Sequence, residues 1–442
     1  MTQIKALSAA VAAVLVSSSA LAVEFHGYGR AGMSTTGDGG EQTCYGNGPD
    51  GHKAGRLGNE CDTYVEMSFQ QELYNQGGKK FRIEVMPVFT SENDFQGNSA
   101  QWNPTYNNPD DDDQVNAWRG GDWSMRQYYA AAEGVLNFAP EATIWAGKRF
   151  YQRKDIHIMD WYYLNNSGYG VGIENVQAGV GKLSVAWINV DQHVGGGSIN
   201  DKDEANRITS IVQSNKLDVR YSGIPLWEGA SMELVGIYGW ADLTDAQDDL
   251  GYGDEDGYFF TAEISHGLMG GFNKIVLQYG KDSMGDAAWM NHGGESSLST
   301  PWWDGAKQES YRFIDWGVIN LSEKVELGYS FMYAKSETHG DNNGELNEEK
   351  PTLISVVARP MYKWDDVMKT TLEVGYTKED DIFSGDSVDL YKAVIAQEWT
   401  AGPSFWSRPA IRVYAGSFFG DQAEARNDDG DIRVGAQVEA WW

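Results

Sequence analysis

The sequence predicts an all-β fold, an 18-stranded antiparallel transmembrane β-barrel with long external loops and short periplasmic turns. Three observations carry that expectation. The last eleven residues alternate without a break, with Ile432, Val434, Ala436, Val438, Ala440 and Trp442 on one side and Arg433, Gly435, Gln437, Glu439 and Trp441 on the other. One face suits lipid, the other suits water, and the final aromatic suits a headgroup interface. Connections then alternate in length along the chain. Short turns such as Asn75-Gln-Gly-Gly, Ala139-Pro-Glu-Ala and Asn320-Leu-Ser-Glu are interleaved with long Gly/Asp/Asn-rich segments at 34–61, 90–124, 191–215 and 282–309. Finally, residues 1–22 carry one cation, Lys5, a short apolar run from Ala6 to Val16 and a small-residue exit at Ala22. That is the order of a secretory signal peptide, which leaves 23–442 as the barrel domain.

Alternation and turn chemistry place strands near 23–33, 62–71, 80–89, 125–136, 142–149, 170–176, 181–190, 216–223 and 231–241. The second half adds 257–266, 273–281, 310–320, 325–334, 352–361, 368–377, 388–399, 408–418 and 432–442. The phase is clean where Leu217, Val219 and Tyr221 oppose Asp218, Arg220 and Ser222, and where Val325, Leu327, Tyr329, Phe331 and Tyr333 oppose Glu326, Gly328 and Ser330. No stretch after Ala22 holds eighteen consecutive apolar residues, so the chain is not expected to cross a membrane as a helix. A negative mean hydropathy does not argue against a barrel, whose lumen and loops are polar. An even strand count puts both ends on the short-turn side, and eighteen strands enclose a lumen too wide for side chains alone to fill. A channel is the expected product, with no separate plug domain.

Charge narrows the partners. With 34 Lys plus Arg against 64 Asp plus Glu, the formal net charge is −30, and loss of Lys5 with the signal takes it to −31. Such a chain repels nucleic acid, and much of the charge sits in predicted loops at Asp110–Asp113 and Asp428–Asp431. The run at 110–113 lacks the spaced ligands and turn glycine of a calcium loop. Cys44 and Cys61 are the two cysteines of an exported chain, which predicts a disulfide between them. In the chain-entropy model it is worth roughly 3 kcal/mol, a local staple in one long external loop.

Strand phase also assigns the lumen. Glu24, His26, Tyr28 and Arg30 share a face against Phe25, Ala31 and Met33; Tyr64 lies with Asp62, Glu66, Ser68 and Gln70. Trp441 lies with Arg433, Gln437 and Glu439, Trp406 with Arg408 and Arg412, and Phe272 with Lys274 and Gln278. An aromatic girdle is the commonest home for Trp and Tyr in a barrel, but five aromatics in phase with charges point into water. Aromatic faces in a pore stack on the C–H faces of sugar rings, while charged neighbours bond the hydroxyls. Oligosaccharides are therefore the expected cargo.

Several stretches resemble the maltoporin family, the sugar-specific porins of Gram-negative outer membranes: Val23-Glu-Phe-His-Gly-Tyr-Gly-Arg, Arg56-Leu-Gly-Asn-Glu-Cys-Asp-Thr-Tyr-Val-Glu and Ile144-Trp-Ala-Gly-Lys-Arg-Phe-Tyr-Gln-Arg. Gly271-Phe-Asn-Lys, Arg359-Pro-Met-Tyr-Lys-Trp, Trp406-Ser-Arg-Pro-Ala-Ile-Arg-Val and Trp441-Trp442 extend the likeness over the rest of the chain. The resemblance implies a homotrimer in outer-membrane lipid, passive diffusion of maltose and maltodextrins, and external loops of the kind that phage use as a receptor. It implies an aromatic slide of Phe95, Tyr64, Tyr28, Trp441, Trp406 and Phe272, running from outside inwards. Phe95 stands where the family usually has tryptophan and reaches over from a neighbouring subunit. The polar track falls on Arg30, Arg56, Glu66, Arg126, Arg153, Asp155, His157 and Asp160, with Tyr162 narrowing the channel on an inward loop at 150–169. Asp155, His157 and Asp160 alone could suggest a metal or acid–base site, but no nucleophile or third ligand accompanies them, so no cofactor, no metal and no enzyme activity are expected. The competing readings are a sucrose-type porin, a general-diffusion porin, which would not need lumenal aromatics, and an outer-membrane lipase or protease.

Overall fold

The structure is a computed structural model that describes residues 23–37, 39, 43–45, 52–92, 122–193, 211–249, 252, 256–289, 309–337, 339–340, 346–347, 350–380 and 386–442. Eighteen strands form one antiparallel sheet: β1 (Glu24–Thr36), β2 (Asp62–Gln76), β3 (Lys79–Glu92), β4 (Asp122–Glu133), β5 (Thr143–Arg149), β6 (Gly168–Ala178), β7 (Gly181–His193), β8 (Ile211–Pro225) and β9 (Ala230–Asp242). They continue as β10 (Gly257–Leu268), β11 (Gly271–Asp282), β12 (Glu309–Asn320), β13 (Val325–Glu337), β14 (Thr352–Lys363), β15 (Met368–Asp380), β16 (Ser387–Thr400), β17 (Ala410–Phe419) and β18 (Arg433–Trp441). Each strand pairs with its chain neighbours, and β1 pairs with both β2 and β18, which closes the barrel. Closure pairs the backbone groups that lipid cannot satisfy.

Every predicted strand overlaps one of these eighteen. The largest boundary differences are at β2, which runs five residues past the predicted 62–71, and at β8, which begins five residues before the predicted 216–223, because Gln213, Ser214 and Asn215 continue the ladder without apolar alternation. Strand β4 starts and ends three residues earlier than expected and carries a register shift against β3 at Met86/Pro87. The short turns follow their chemistry. Gly77 and Gly78 link β2 to β3 at φ 61° and 77°, and Met269 and Gly270 link β10 to β11 at φ 49° and 72°, as a tight primed hairpin turn requires.

Alternation holds along β18: Val434 and Val438 are exposed on the outer face, while Arg433, Gln437 and Glu439 are buried toward the lumen. The barrel's packed interior is off-centre. Ile156, Ile158, Met159, Trp161, Tyr163 and Leu164, all from the connection between β5 and β6, are buried against Val235 and Ile237 of β9, Phe259 of β10, Val276 of β11, Ile314 of β12 and Met332 of β13. Each large apolar side chain buried this way contributes roughly 1.5–3 kcal/mol. The connection thus lines one side of the lumen instead of standing in solvent, and the half-exposed aromatics of β1, β2 and β18 remain on the other.

The outer face makes a direct prediction. Val438→Arg places a guanidinium near the middle of the lipid band and should lower barrel stability by roughly 2–4 kcal/mol in vesicle-based denaturant unfolding. Wild-type stability for that variant would mean that this face of β18 does not meet lipid.

Candidate functional site in the lumen

Five of the six predicted slide residues form a line. Tyr64 of β2 and Tyr28 of β1 have ring centroids 6.2 Å apart. Tyr28 stands directly opposite Trp441 across the closing β1–β18 pair. Trp441 lies 6.4 Å from Trp406, which stacks on Phe272 of β11 at 6.3 Å and 29°. The line therefore starts near the long-loop rim, where β2 begins, and ends near the short-turn rim. Trp406 sits in the turn 401–409, not in a strand, so strand phase does not govern it; its ring contacts do, and it keeps 37% exposure. Phe95 lies outside the described residues.

A charged network faces this line. Arg30 of β1 forms a two-pronged pair with Asp62 at 2.7–2.8 Å, meets Glu60 at 3.2 Å and bonds Asp160. Arg56 donates to the Tyr28 hydroxyl at 2.6 Å, pairs with Glu60 at 2.7 Å and meets Glu439 at 3.1 Å. Tyr28 in turn donates to Glu439 at 3.1 Å. Glu66 accepts from the Tyr64 hydroxyl at 2.7 Å and lies 3.8 Å from Arg153. Arg126 is exposed beside the β3–β4 register shift, and among the described residues it makes no contact with this network.

The inward loop owes its two faces to alternation. Ile156, Ile158, Trp161 and Tyr163 are buried, while Asp155, His157, Asp160 and Tyr162 are only partly so, because the 3-10 turn His157–Met159 and a left-handed Asp160 (φ 47°) reset the phase between the short paired strands Lys154–Ile156 and Trp161–Leu164. Arg153 stacks over Tyr162 at 4.5 Å and reaches Glu66 on the wall, so Tyr162 projects from the loop beside the Tyr64 end of the line. His157 lies 5.4 Å from Trp406 and 5.6 Å from Trp441, with Nε2 3.1 Å from Arg408. Burial pushes its pKa well down against the opposing pull of Glu439, with Arg56 and Arg408 acting in the same direction as burial, so the imidazole is neutral and accepts from Arg408. Burial also raises Asp155; it would raise Asp160, but Arg56 and Arg30 hold that carboxyl below its usual range.

Sequence reasoning missed the hub of this network. Glu439 was assigned to the lumen, yet its partners Arg408 and Arg412, at 2.7 and 2.8 Å, and the loop residue Arg56 come from three separate segments. It also placed the disulfide in an outward loop. The bridge Cys44–Cys61 forms, but residues 52–60 turn inward: His52 N–H donates to the Met159 carbonyl at 2.8 Å, and Arg56 N–H to the Ile158 carbonyl at 3.0 Å. His52, Glu60 and Asp160 bring ligand atoms within 4.8 Å of one another. The Arg30 guanidinium already lies between the two carboxylates, so a second cation there would meet repulsion, and the cluster reads as an ion-pair junction.

Residues 23–442 match the LamB porin family. A maltoporin of Hahella chejuensis is 42% identical over 445 residues, covering 99% of this chain and 96% of the relative. A maltoporin of Photobacterium profundum is 39% identical over 447 residues, covering 99% and 98%. Among solved structures, OmpF of Salmonella typhi superposes with a TM-score of 0.44 at 10% identity, covering 96% of this chain and 98% of that one. With a match along its whole barrel domain and relatives near 40% identity over nearly its full length, this chain belongs to the LamB porin family.

Proposed function

We propose that this protein is a sugar-selective channel of the Gram-negative outer membrane, exported by the signal in 1–22 and assembled as a homotrimer, that carries maltose and maltodextrins by passive diffusion. The observation that carries the reading is the line Tyr64–Tyr28–Trp441–Trp406–Phe272 with ion-paired side chains beside it. The names of the relatives supply the sugar class. Pyranose rings slide along aromatic faces while their hydroxyls exchange hydrogen bonds with Arg30, Arg56, Glu66, Arg153, Asp155, His157 and Asp160. Each stacking contact is worth about 1 kcal/mol, enough to bias the sugar along the path and too little to trap it. Phe95 would extend the path outwards as a capture site.

Planar-bilayer ion current, with maltohexaose titrated against sucrose and raffinose, tests the reading. Maltohexaose should block at micromolar to millimolar concentration, equivalent to roughly −8 to −4 kcal/mol. Trp406→Ala should weaken that block by about 1 kcal/mol while the trimer persists. Absence of block by any sugar means a general-diffusion porin, and preferential block by sucrose means a sucrose-type porin. Tyr162→Ala should raise single-channel conductance and weaken block together, because the ring narrows the path opposite the aromatics. Unchanged values of both would remove Tyr162 from the constriction.

A further inference from the structure

The inward segment 52–60 is held to the barrel wall by a buried ion pair that takes no part in the sugar path. Glu373 of β15 and Lys392 of β16 have side chains with 0% exposure and meet at 2.5 Å. Arg359 of β14 holds the second carboxylate oxygen at 2.5 Å. The same pair grips the backbone of the inward segment. Lys392 Nζ donates to the Gly55 carbonyl at 2.6 Å, and Glu373 Oε1 accepts the Leu57 N–H at 2.9 Å. These two contacts bracket one residue, Arg56, whose own N–H goes to the Ile158 carbonyl of the constriction loop. The approach is too close for side chains. A Cβ on Gly55, itself at φ +94°, would stand 2.5 Å from Glu373 Oε1, and one on Gly375 would stand 1.8 Å from the Ala54 carbonyl.

We propose that Glu373 and Lys392 are positioning residues for Arg56: by fixing the peptide on either side of it, they aim its guanidinium at Tyr28 and Glu439 and so determine how firmly the channel holds a sugar. The inference rests on the reading of Arg56 as part of the polar track.

The test is single-channel recording with maltohexaose on Arg56→Ala, Glu373→Gln and the double variant. A well-aimed charged hydrogen bond is worth roughly 1.5–3 kcal/mol, so Arg56→Ala should speed sugar release by about tenfold or more. Glu373→Gln should speed it by a comparable factor. The double variant should release no faster than Arg56→Ala alone, because both changes remove one interaction. The association rate should stay at the wild-type value throughout. Glu373→Gln leaves Lys392 and Arg359 buried without a counter-ion, so a neutral triple variant, Arg359→Gln with Glu373→Gln and Lys392→Met, is recorded beside it and carries the same expectation. Wild-type release from either folded variant overturns the proposal. So does a double variant in which the two factors multiply, since Glu373 would then act independently of Arg56. Absence of maltohexaose block in the wild-type channel overturns the transport reading and this one with it, whereas wild-type block with indifferent variants overturns the positioning role alone.

Discussion

The constraint on which the rest depends is that a backbone in lipid must pair all its hydrogen-bonding groups, and an open sheet cannot. The β1–β18 pairing meets it, running from Tyr28↔Trp441 to Thr36↔Arg433. That closure also builds the site. Tyr28 and Trp441 are separated by almost the whole chain, yet the register of the closing pair sets them side by side, facing inward. Arg30 and Glu439 face each other one step further along the same lumenal set. The seam that ends the barrel is thus the centre of the aromatic line and of the charged network.

A wide lumen then leaves space for inward connections. The β5–β6 connection covers the wall from β9 to β13 with a conventional apolar core, whereas the segment 52–60 adds charged and backbone contacts to the smaller apolar clusters around Ala54 and Leu57. The difference has a physical cause. The inner wall from β14 to β18 carries Arg359, Lys369, Glu373, Lys392, Glu398, Arg408, Arg412 and Arg433, so whatever packs there must satisfy charges as well as fill volume. Glu439 shows the result: it is neutralised by three arginines, one of which, Arg56, also donates to the Tyr28 hydroxyl.

Most of the barrel was legible in the sequence because strand alternation is local. Tyr28, Tyr64, Trp441 and Phe272 could each be turned inward from the charges two residues away, and each faces the lumen side of its strand. Trp406 reached the same line by a different route, a turn whose shape alternation does not encode. The inward fold of 52–60 was not legible from spacing, and only the family resemblance set Arg56 in the channel. Nothing in His52 to Glu60 is periodic, and the partners that hold the segment, Glu373 and Lys392, lie more than 300 residues away in the chain. Arg126 shows the reverse limit: it was matched to the polar track through family likeness, yet it stands exposed at an irregularity that no spacing rule anticipates.

The central claim is that a sugar chain follows the aromatic line. The most direct measurement is a structure of the trimer with maltohexaose bound. The account predicts consecutive glucose rings lying flat on Tyr64, Tyr28, Trp441, Trp406 and Phe272, with hydroxyls turned toward Arg30, Arg56 and the inward loop. A sugar bound elsewhere in the lumen, or one whose hydroxyl edge rather than its C–H face meets these rings, would contradict it.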